Sequence, residues 1–507
     1  MKRTMSFIRR FFSVVVSTAS GRIGVLYLIT CALYAVLGLA AAVSMQLDML
    51  SPTAQLTGTL WFGKLLTGHG MIMVFLVLLP FFPGVFGHLA LPSAVGAPRS
   101  SLSRIGYFGW LSHVGAGALI VSSLLLNAYD AGWVMMMPVA GYSIPFVLLV
   151  LGLLLAELAT LLPSIAALQT VFSRQSRTVA FSQLPLFAWF LLLGTIVQIV
   201  VAPVRLYTLT AVLGGHLWGW SSMSLLTPEG IALYQKSFWL FAGPATLGLI
   251  LPAIGLLFEV VIAHTRAYIH RRTAVVASGI AILILALASW SQHLTATADG
   301  ELSQLLGSFF GLLMILPANY LLLEFIRLLA RLERPLSAAI LFVISSIVCG
   351  LFAGVAGAAL ALPAMAIHLH NTYFTVAHLH LALAGVIGGA IFAGLFHFWP
   401  GWWQTSFSER MARTGALAML TGLCLAFLPM ALLGTQGLPR ALYIYPTQFQ
   451  ILHTVSSIGT FVLAASLLLT LFTLMWSLVR RSKTKQNEIP SSGEFVYAPV
   501  SPETSGR

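Results

Sequence analysis

The sequence predicts an all-α integral membrane protein of about twelve transmembrane helices, with both termini on the cytoplasmic side. Three observations predict it. Of 507 residues, 59% are hydrophobic and only 8% are charged, where a soluble domain has about 25% charged. Long apolar runs recur along the whole chain, each close to the length of about 20 residues that crosses a bilayer. Basic residues gather in alternate connections between those runs, as the positive-inside rule requires. The composition excludes disorder, collagen, coiled coil and a disulfide scaffold. The runs are unbroken rather than alternating, which excludes an outer-membrane barrel.

A basic arm, residues 1–21, comes first. It is short on apolar length and has no clear cleavage site, so it reads as a cytoplasmic arm and not a removed signal. The twelve spans follow at 22–46, 62–91, 105–127, 143–171, 184–213, 234–263, 273–292, 303–330, 337–363, 374–399, 412–434 and 450–478. Short connections make residues 22–479 one continuous bundle. The tail, 480–507, is polar with Pro, Ser and Gly and reads as disordered. With the N-terminus inside, the inner connections hold Arg99, Arg104, Arg174, Arg177, Arg266, Arg271, Arg331, Arg410 and Arg413 among others. The outer side keeps Lys64, Arg205, Lys236 and Arg440, with acidic Asp48, Asp130, Glu229, Asp299 and Glu301. The net charge of +13 therefore sets topology. Membrane lipid is the expected surrounding partner and nucleic acid is not. Cys31, Cys349 and Cys424 all fall within spans, so no disulfide or thiolate metal framework is implied.

Ionisable residues inside a bilayer are costly and mark function. His69 lies in the second span, in Gly68-His-Gly-Met-Ile-Met73; His378 and His380 lie in the tenth, in Val376-Ala-His-Leu-His380. Two residues along a helix turn it by about 200°. His378 and His380 therefore point to nearly opposite sides and can serve two different centres. Neutral imidazole is a common axial ligand of haem iron, and His69 could complete a bis-histidine pair. A hydrogen bond to a neighbouring helix is the other reading of each histidine.

These residues resemble subunit I of the haem-copper respiratory oxidases, the cytochrome c oxidase type, over roughly residues 20–478. His370-Asn-Thr-Tyr-Phe-Thr-Val-Ala-His-Leu-His380 is similar to that family's H-D-T-Y-x-V-A-H-F-H. Leu233-Tyr-Gln-Lys-Ser-Phe-Trp239, Gly394-Leu-Phe-His-Phe-Trp-Pro400 and Gly437-Leu-Pro-Arg440 also match in order. The resemblance implies two haems. His69 and His380 would ligate the low-spin haem, His378 the high-spin haem, and Arg440 would bind a propionate; Ala441 stands at the second position of that arginine pair. His370 and Asn371 fall where the family has a His-Asp pair near magnesium. Asn371 in place of a carboxylate argues against that ion, since hard cations favour charged oxygen ligands.

The sequence departs from the family at the copper-B site. The family's G-H-P-E-V-Y is here Ala242-Gly-Pro-Ala-Thr-Leu247, and its W-x-H-H is Trp290-Ser-Gln-His293. Gly243 and Gln292 stand at two ligand positions, Ala245 replaces the proton-delivering glutamate, and Leu247 replaces the crosslinking tyrosine. Only His293 remains, as a distal group of the high-spin pocket. Copper wants several imidazoles, so copper-B is not expected. Proton-route positions are occupied by Leu321 and Arg99. Glu157, Glu259 and Glu324 lie in or near spans at positions without family counterparts, as relay groups or as paired residues.

The resemblance implies a place in a respiratory chain, with electrons passing through haem. The family activity is cytochrome-c oxidase, an oxidoreductase activity of aerobic respiration. Whether this chain is itself an enzyme stays open, because the copper ligands, tyrosine and proton-route residues are missing. An active terminal oxidase or nitric oxide reductase with a non-standard site, and a non-catalytic assembly or regulatory subunit, are the alternatives. No copper-A cysteine motif is present, so electron delivery would come through a subunit II-like partner, with a subunit III-like partner beside it. The donor would be cytochrome c or quinol, and the location the bacterial cytoplasmic (inner) membrane.

Overall fold

The computed structural model describes residues 19–480, except 54–57, 98–102, 127–142, 174–180, 220–222, 224, 226, 268, 270, 295–300 and 333–335. Most of the N-terminal arm, the whole tail from 481, and Arg99, Arg174, Arg177, Asp130 and Asp299 lie outside the described residues.

Among the described residues, eleven helices are long and apolar enough to cross a membrane, and a twelfth is shorter. In chain order these are α1 (Ala19–Asp48), α2 (Trp61–Leu89), α3 (Ser103–Leu125) and α4 (Ile144–Phe172). Then come α5 (Leu186–Trp218), α6 (Pro228–Thr265), α7 (Arg272–Ala288) and α8 (Leu302–Leu329). The last are α9 (Ala338–Ala361), α10 (Tyr373–Trp403), α11 (Glu409–Thr435) and α12 (Gln450–Arg480). Every expected span has its helix, so the bundle follows the apolar pattern.

The helix starts are set by local chemistry. Hydroxyls of Ser143, Thr227, Ser337, Thr372 and Ser408 accept hydrogen bonds from first-turn amides of α4, α6, α9, α10 and α11, which satisfies donors a helix cannot pair internally. Pro228 stands at the start of α6, where its missing N–H costs nothing.

The expected seventh span, 273–292, is shorter than predicted. α7 ends at Ala288, and residues Trp290–His293 tighten into a 3-10 turn. Such turns are common where a helix changes direction; here it carries Gln292 and His293 away from the helix axis.

Arg205 corrects the charge reading. It is not an outer-loop marker but lies inside α5, 1% exposed, and donates to Glu157 on α4 at 2.9 Å. The isolated charge count missed it because a paired arginine is tolerated within a span. Lys64 does lie near the outer end of α2, with its ammonium 4.4 Å from the Trp61 ring.

Helix α2 is interrupted by π-helical segments at Ile72–Leu78 and Phe82–Phe86, and α10 by one at Leu381–Gly388. Two of these begin just after His69 and directly after His380. A π segment adds a residue to a turn and re-aims the side chains around it, often at a functional site.

The most extensive packing joins α11 to α12, α3 to α4 and α5 to α6. In a bilayer, helices associate through close approach of small residues. Gly422 on α11 is such a point: a Cβ there would lie 2.6 Å from the Leu463 amide nitrogen of α12. Gly354 on α9, by contrast, has nothing within 4 Å of a Cβ. Gly422→Leu is therefore expected to destabilise the bundle by at least about 1–3 kcal/mol, seen as a lower Tm in detergent, while Gly354→Leu stays near wild type. Equal behaviour of the two variants would contradict the close-packing account.

Candidate haem centre

Helix α10 carries two of the three central histidines, and its start is fixed from both sides. The Thr372 hydroxyl caps it, the Tyr373 amide donates to Leu438 O at 3.1 Å, and the Arg440 amide donates to Asn371 O at 3.0 Å. The segment after α11 is thus tied to the segment before α10, and the register of His378 and His380 is held.

Each central histidine gives one ring nitrogen to a main-chain carbonyl. His69 Nδ1 lies 2.9 Å from Gly38 O of α1, His378 Nδ1 3.0 Å from Ala353 O of α9, and His380 Nδ1 2.8 Å from Val376 O. A carbonyl can only accept, so Nδ1 carries the proton in all three. Nε2 is then the unprotonated nitrogen, the form that binds a metal, with its orientation set by the carbonyl behind it.

The rings of His69 and His380 are nearly parallel, at 8°, with centroids 5.9 Å apart. Allowing for the ring radius, that spacing suits two imidazoles on opposite sides of one metal, each nitrogen about 2 Å from it. Phe427 of α11 stacks on the His380 ring at 4.7 Å. His378 projects away from this pair toward α9, where Gly357 leaves it room: a Cβ at 357 would lie 3.0 Å from His378 Cε1. The two faces expected from the helix rotation are both present.

A second cluster lies at the end of α7. His293 stacks on Trp239 of α6 at 4.4 Å and lies 6.0 Å from His370. Gln292 Nε2 sits 3.3 Å from His293 Nε2. A Cβ on Gly243 of α6 would be 3.5 Å from the His293 ring. Gly243, Gln292 and His293 therefore converge, and one imidazole is present among the three. No group of three or more His, Cys, Asp or Glu side chains among the described residues could hold a metal ion.

His370 follows the short helix Pro363–Leu369, outside the spans. Burial, then the Arg440 charge, push its imidazole down to about 4. Arg440 Nη2 donates to Asn371 Oδ1 at 3.2 Å. Ala441 follows with φ +64°, a left-handed conformation that turns the chain sharply after Arg440.

Sequence reasoning missed the Glu157–Arg205–Gln198 network. Counting depth from helix ends could have found it, since Glu157 and Arg205 both lie roughly 20 Å from the outer ends of their helices at 1.5 Å per residue. Of the other acidic groups, Glu324 accepts from Arg327 at 2.7 Å one turn away, and Glu259 is buried within α6.

Comparison with known proteins identifies the family. The family model described as "Cytochrome C and Quinol oxidase polypeptide I" matches residues 22–462, and the chain belongs to that family. It is 28% identical over 457 residues to "Cytochrome c oxidase subunit 1" of Thermostichus vulcanus, covering 90% of this chain and 83% of the relative. It is 29% identical to "Probable cytochrome c oxidase subunit 1-beta" of Nocardia farcinica, covering 93% and 80%. Its fold is similar to that of a solved heme-copper terminal oxidase dimer, with a TM-score of 0.76 and 16% identity over 93% of this chain and 85% of the other. The chain is thus an integral protein of the bacterial inner membrane and a member of the cytochrome c and quinol oxidase subunit I family.

The lowered His370 value predicts a pH effect. The unfolded chain's imidazole protonates near 6.5, so between pH 6.5 and 4 the unfolded state binds more protons than the folded state. Stability is complete above about pH 6.5 and declines as pH falls toward 4. His370→Gln is expected to make the decline of Tm over that interval shallower. An unchanged profile would contradict the placement of His370 beside Arg440.

Proposed function

We propose that the chain carries electrons in a respiratory complex through a low-spin haem between His69 and His380 and a high-spin haem on His378, without functional copper-B. The observation that carries this reading is the His69–His380 pair, 5.9 Å apart with each Nδ1 engaged behind it. The donor set fits haem iron, which takes neutral imidazole on its axis. Bound there, haem would supply a one-electron couple within the bilayer. His69, His378 and His380 would hold the two groups, α1 and α9 carbonyls would orient the rings, and Phe427 would exclude water from one side. Arg440 stands on the outer side, where its guanidinium would meet a propionate carboxylate.

Copper does not fit the second cluster as it stands. At Gly243 and Gln292 there is no imidazole, and His293 alone is a poor site for copper. His293 would act instead as a hydrogen-bonding group over the open face of the high-spin haem, where a diatomic gas such as O2 or NO would bind. Magnesium does not fit His370 and Asn371 either: the Asn371 amide oxygen already accepts from Arg440, whose charge repels a dication.

A subunit II-like partner would deliver electrons from cytochrome c or quinol, and a subunit III-like partner would complete the complex. The test is haem and metal analysis of the purified protein, with optical spectra before and after CO. Two haems per chain, a CO-sensitive high-spin component lost in His378→Ala, and copper well below one atom per chain are expected. Stoichiometric copper that binds next to the high-spin haem would overturn the copper assignment. Absence of haem would overturn the whole reading and favour a non-catalytic subunit.

A further inference from the structure

The Glu157–Arg205–Gln198 network has no part in the account so far. It lies within the spans and joins three helices. Arg205 Nη2 donates to Glu157 Oε1 at 2.9 Å, Arg205 Nη1 to Gln198 Oε1 at 3.0 Å, and Gln198 Nε2 to Ala245 O of α6 at 3.0 Å. Glu157, Gln198 and Arg205 are 3%, 2% and 1% exposed. A buried ion pair is often no more stabilising than apolar residues of the same size, so stability alone does not account for it. Ionisable groups at this depth are functional by default.

A cavity adjoins Arg205. It has about 20 Å³ open to the centre of a water molecule, enough for one water. Phe75 and Leu78 of α2, Ala245 and Thr246 of α6 and Leu383 of α10 line it, together with Arg205. Arg205 and Thr246 are its only polar side chains. Arg205 Nη1 carries two N–H groups and gives one to Gln198 Oε1, while Nε, ion-paired with Glu157 Oε2, makes no hydrogen bond. The Thr246 hydroxyl donates to Ala242 O and keeps its lone pairs free to accept. A water between them would have the two polar partners it needs. The cavity also abuts the haem-facing helices: Phe75 is about 9 Å along α2 from His69, and Leu383 about 5 Å along α10 from His380.

We propose that Glu157, paired with the Arg205 that lines this cavity, is a buried proton-exchange group that takes up one proton when an electron enters the haem on His69 and His380. The inference rests on the haem reading above. In a low-dielectric interior an added electron is strongly favoured by a compensating positive charge nearby. A reduced donor supplies the electron and a water-borne proton from outside the bundle supplies the charge. An O–H bond forms at a Glu157 oxygen and the ion pair opens. The guanidinium keeps its bonds to Gln198 and turns its freed donors to the cavity water. Reoxidation reverses each step and returns the proton. The other buried titratable groups on α1, α2, α3 and α5 are Tyr27, Cys31 and Asp48 on α1, Lys64 and His88 on α2, His113 on α3 and His216 on α5; the Tyr27 hydroxyl bonds Ala159 O. Arg205 is the group that bonds Glu157.

The experiment uses the full-length, haem-loaded protein and measures the low-spin haem midpoint potential against pH. Coupled uptake predicts a potential that falls as pH rises, approaching a tenfold shift in the redox equilibrium per pH unit, about 59 mV for one electron. Glu157→Gln keeps the size of the side chain but cannot ionise, and its potential is expected to be flat with pH while the low-spin spectrum persists. A structural pair would lower thermal stability in this variant and leave the slope as in wild type, which would overturn the proposal. A flat wild-type potential would also overturn it. A readout independent of that variant's folding is the infrared difference spectrum of wild type on reduction. A new protonated-carboxyl band that shifts in deuterium oxide and moves in Glu157→Asp supports the assignment, and its absence overturns it. Wild-type protein that binds no haem would refute the haem reading itself, and this inference with it.

Discussion

Three hydrogen bonds from imidazole Nδ1 to main-chain carbonyls set most of what this bundle can do. Gly38 O, Ala353 O and Val376 O are each within 3.0 Å of a histidine nitrogen. A carbonyl has two lone pairs, so it can accept such a bond while serving its own helix. In lipid no water competes for the donor, and a misplaced imidazole would have no partner. The bonds therefore fix both tautomer and ring direction. They also require α1 beside α2 and α9 beside α10 at a set register. The π segments after His69 and His380 follow from the same demand, since a regular helix would carry the next residues along a different line.

The rest of the interior divides into parts that keep the family pattern and parts that depart from it. The three histidines proposed to hold two haems, the tie between the α10 start and the loop of Arg440, and the Trp239–His293 stack belong to the first kind. Gly243, Ala245, Leu247 and Gln292 belong to the second, standing where the family resemblance implies copper ligands, a glutamate and a tyrosine. Arg205, anchored on Glu157, reaches the Ala245 carbonyl of that stretch through Gln198.

The bundle was legible because lipid leaves a simple pattern, long apolar runs between basic connections. The opposed placement of His378 and His380 was legible from helical rotation alone. Three things were not. Arg205 reads as a loop residue when charges are counted singly, and only a depth comparison with Glu157 reveals a pair. The early end of α7 depends on a change of backbone at Ser289 that no proline or glycine announces. The contact of Gly243 with His293 is a meeting of two helices distant in sequence, which the family resemblance located and apolar periodicity could not.

The central claim is that His69 and His380 share one iron and His378 holds another. Electron paramagnetic resonance of the oxidised protein addresses it directly. The account predicts a bis-imidazole low-spin signal in wild type that persists in His378→Ala and disappears in both His69→Ala and His380→Ala. A low-spin signal that survives either of the last two substitutions, or one that is lost with His378, would contradict it.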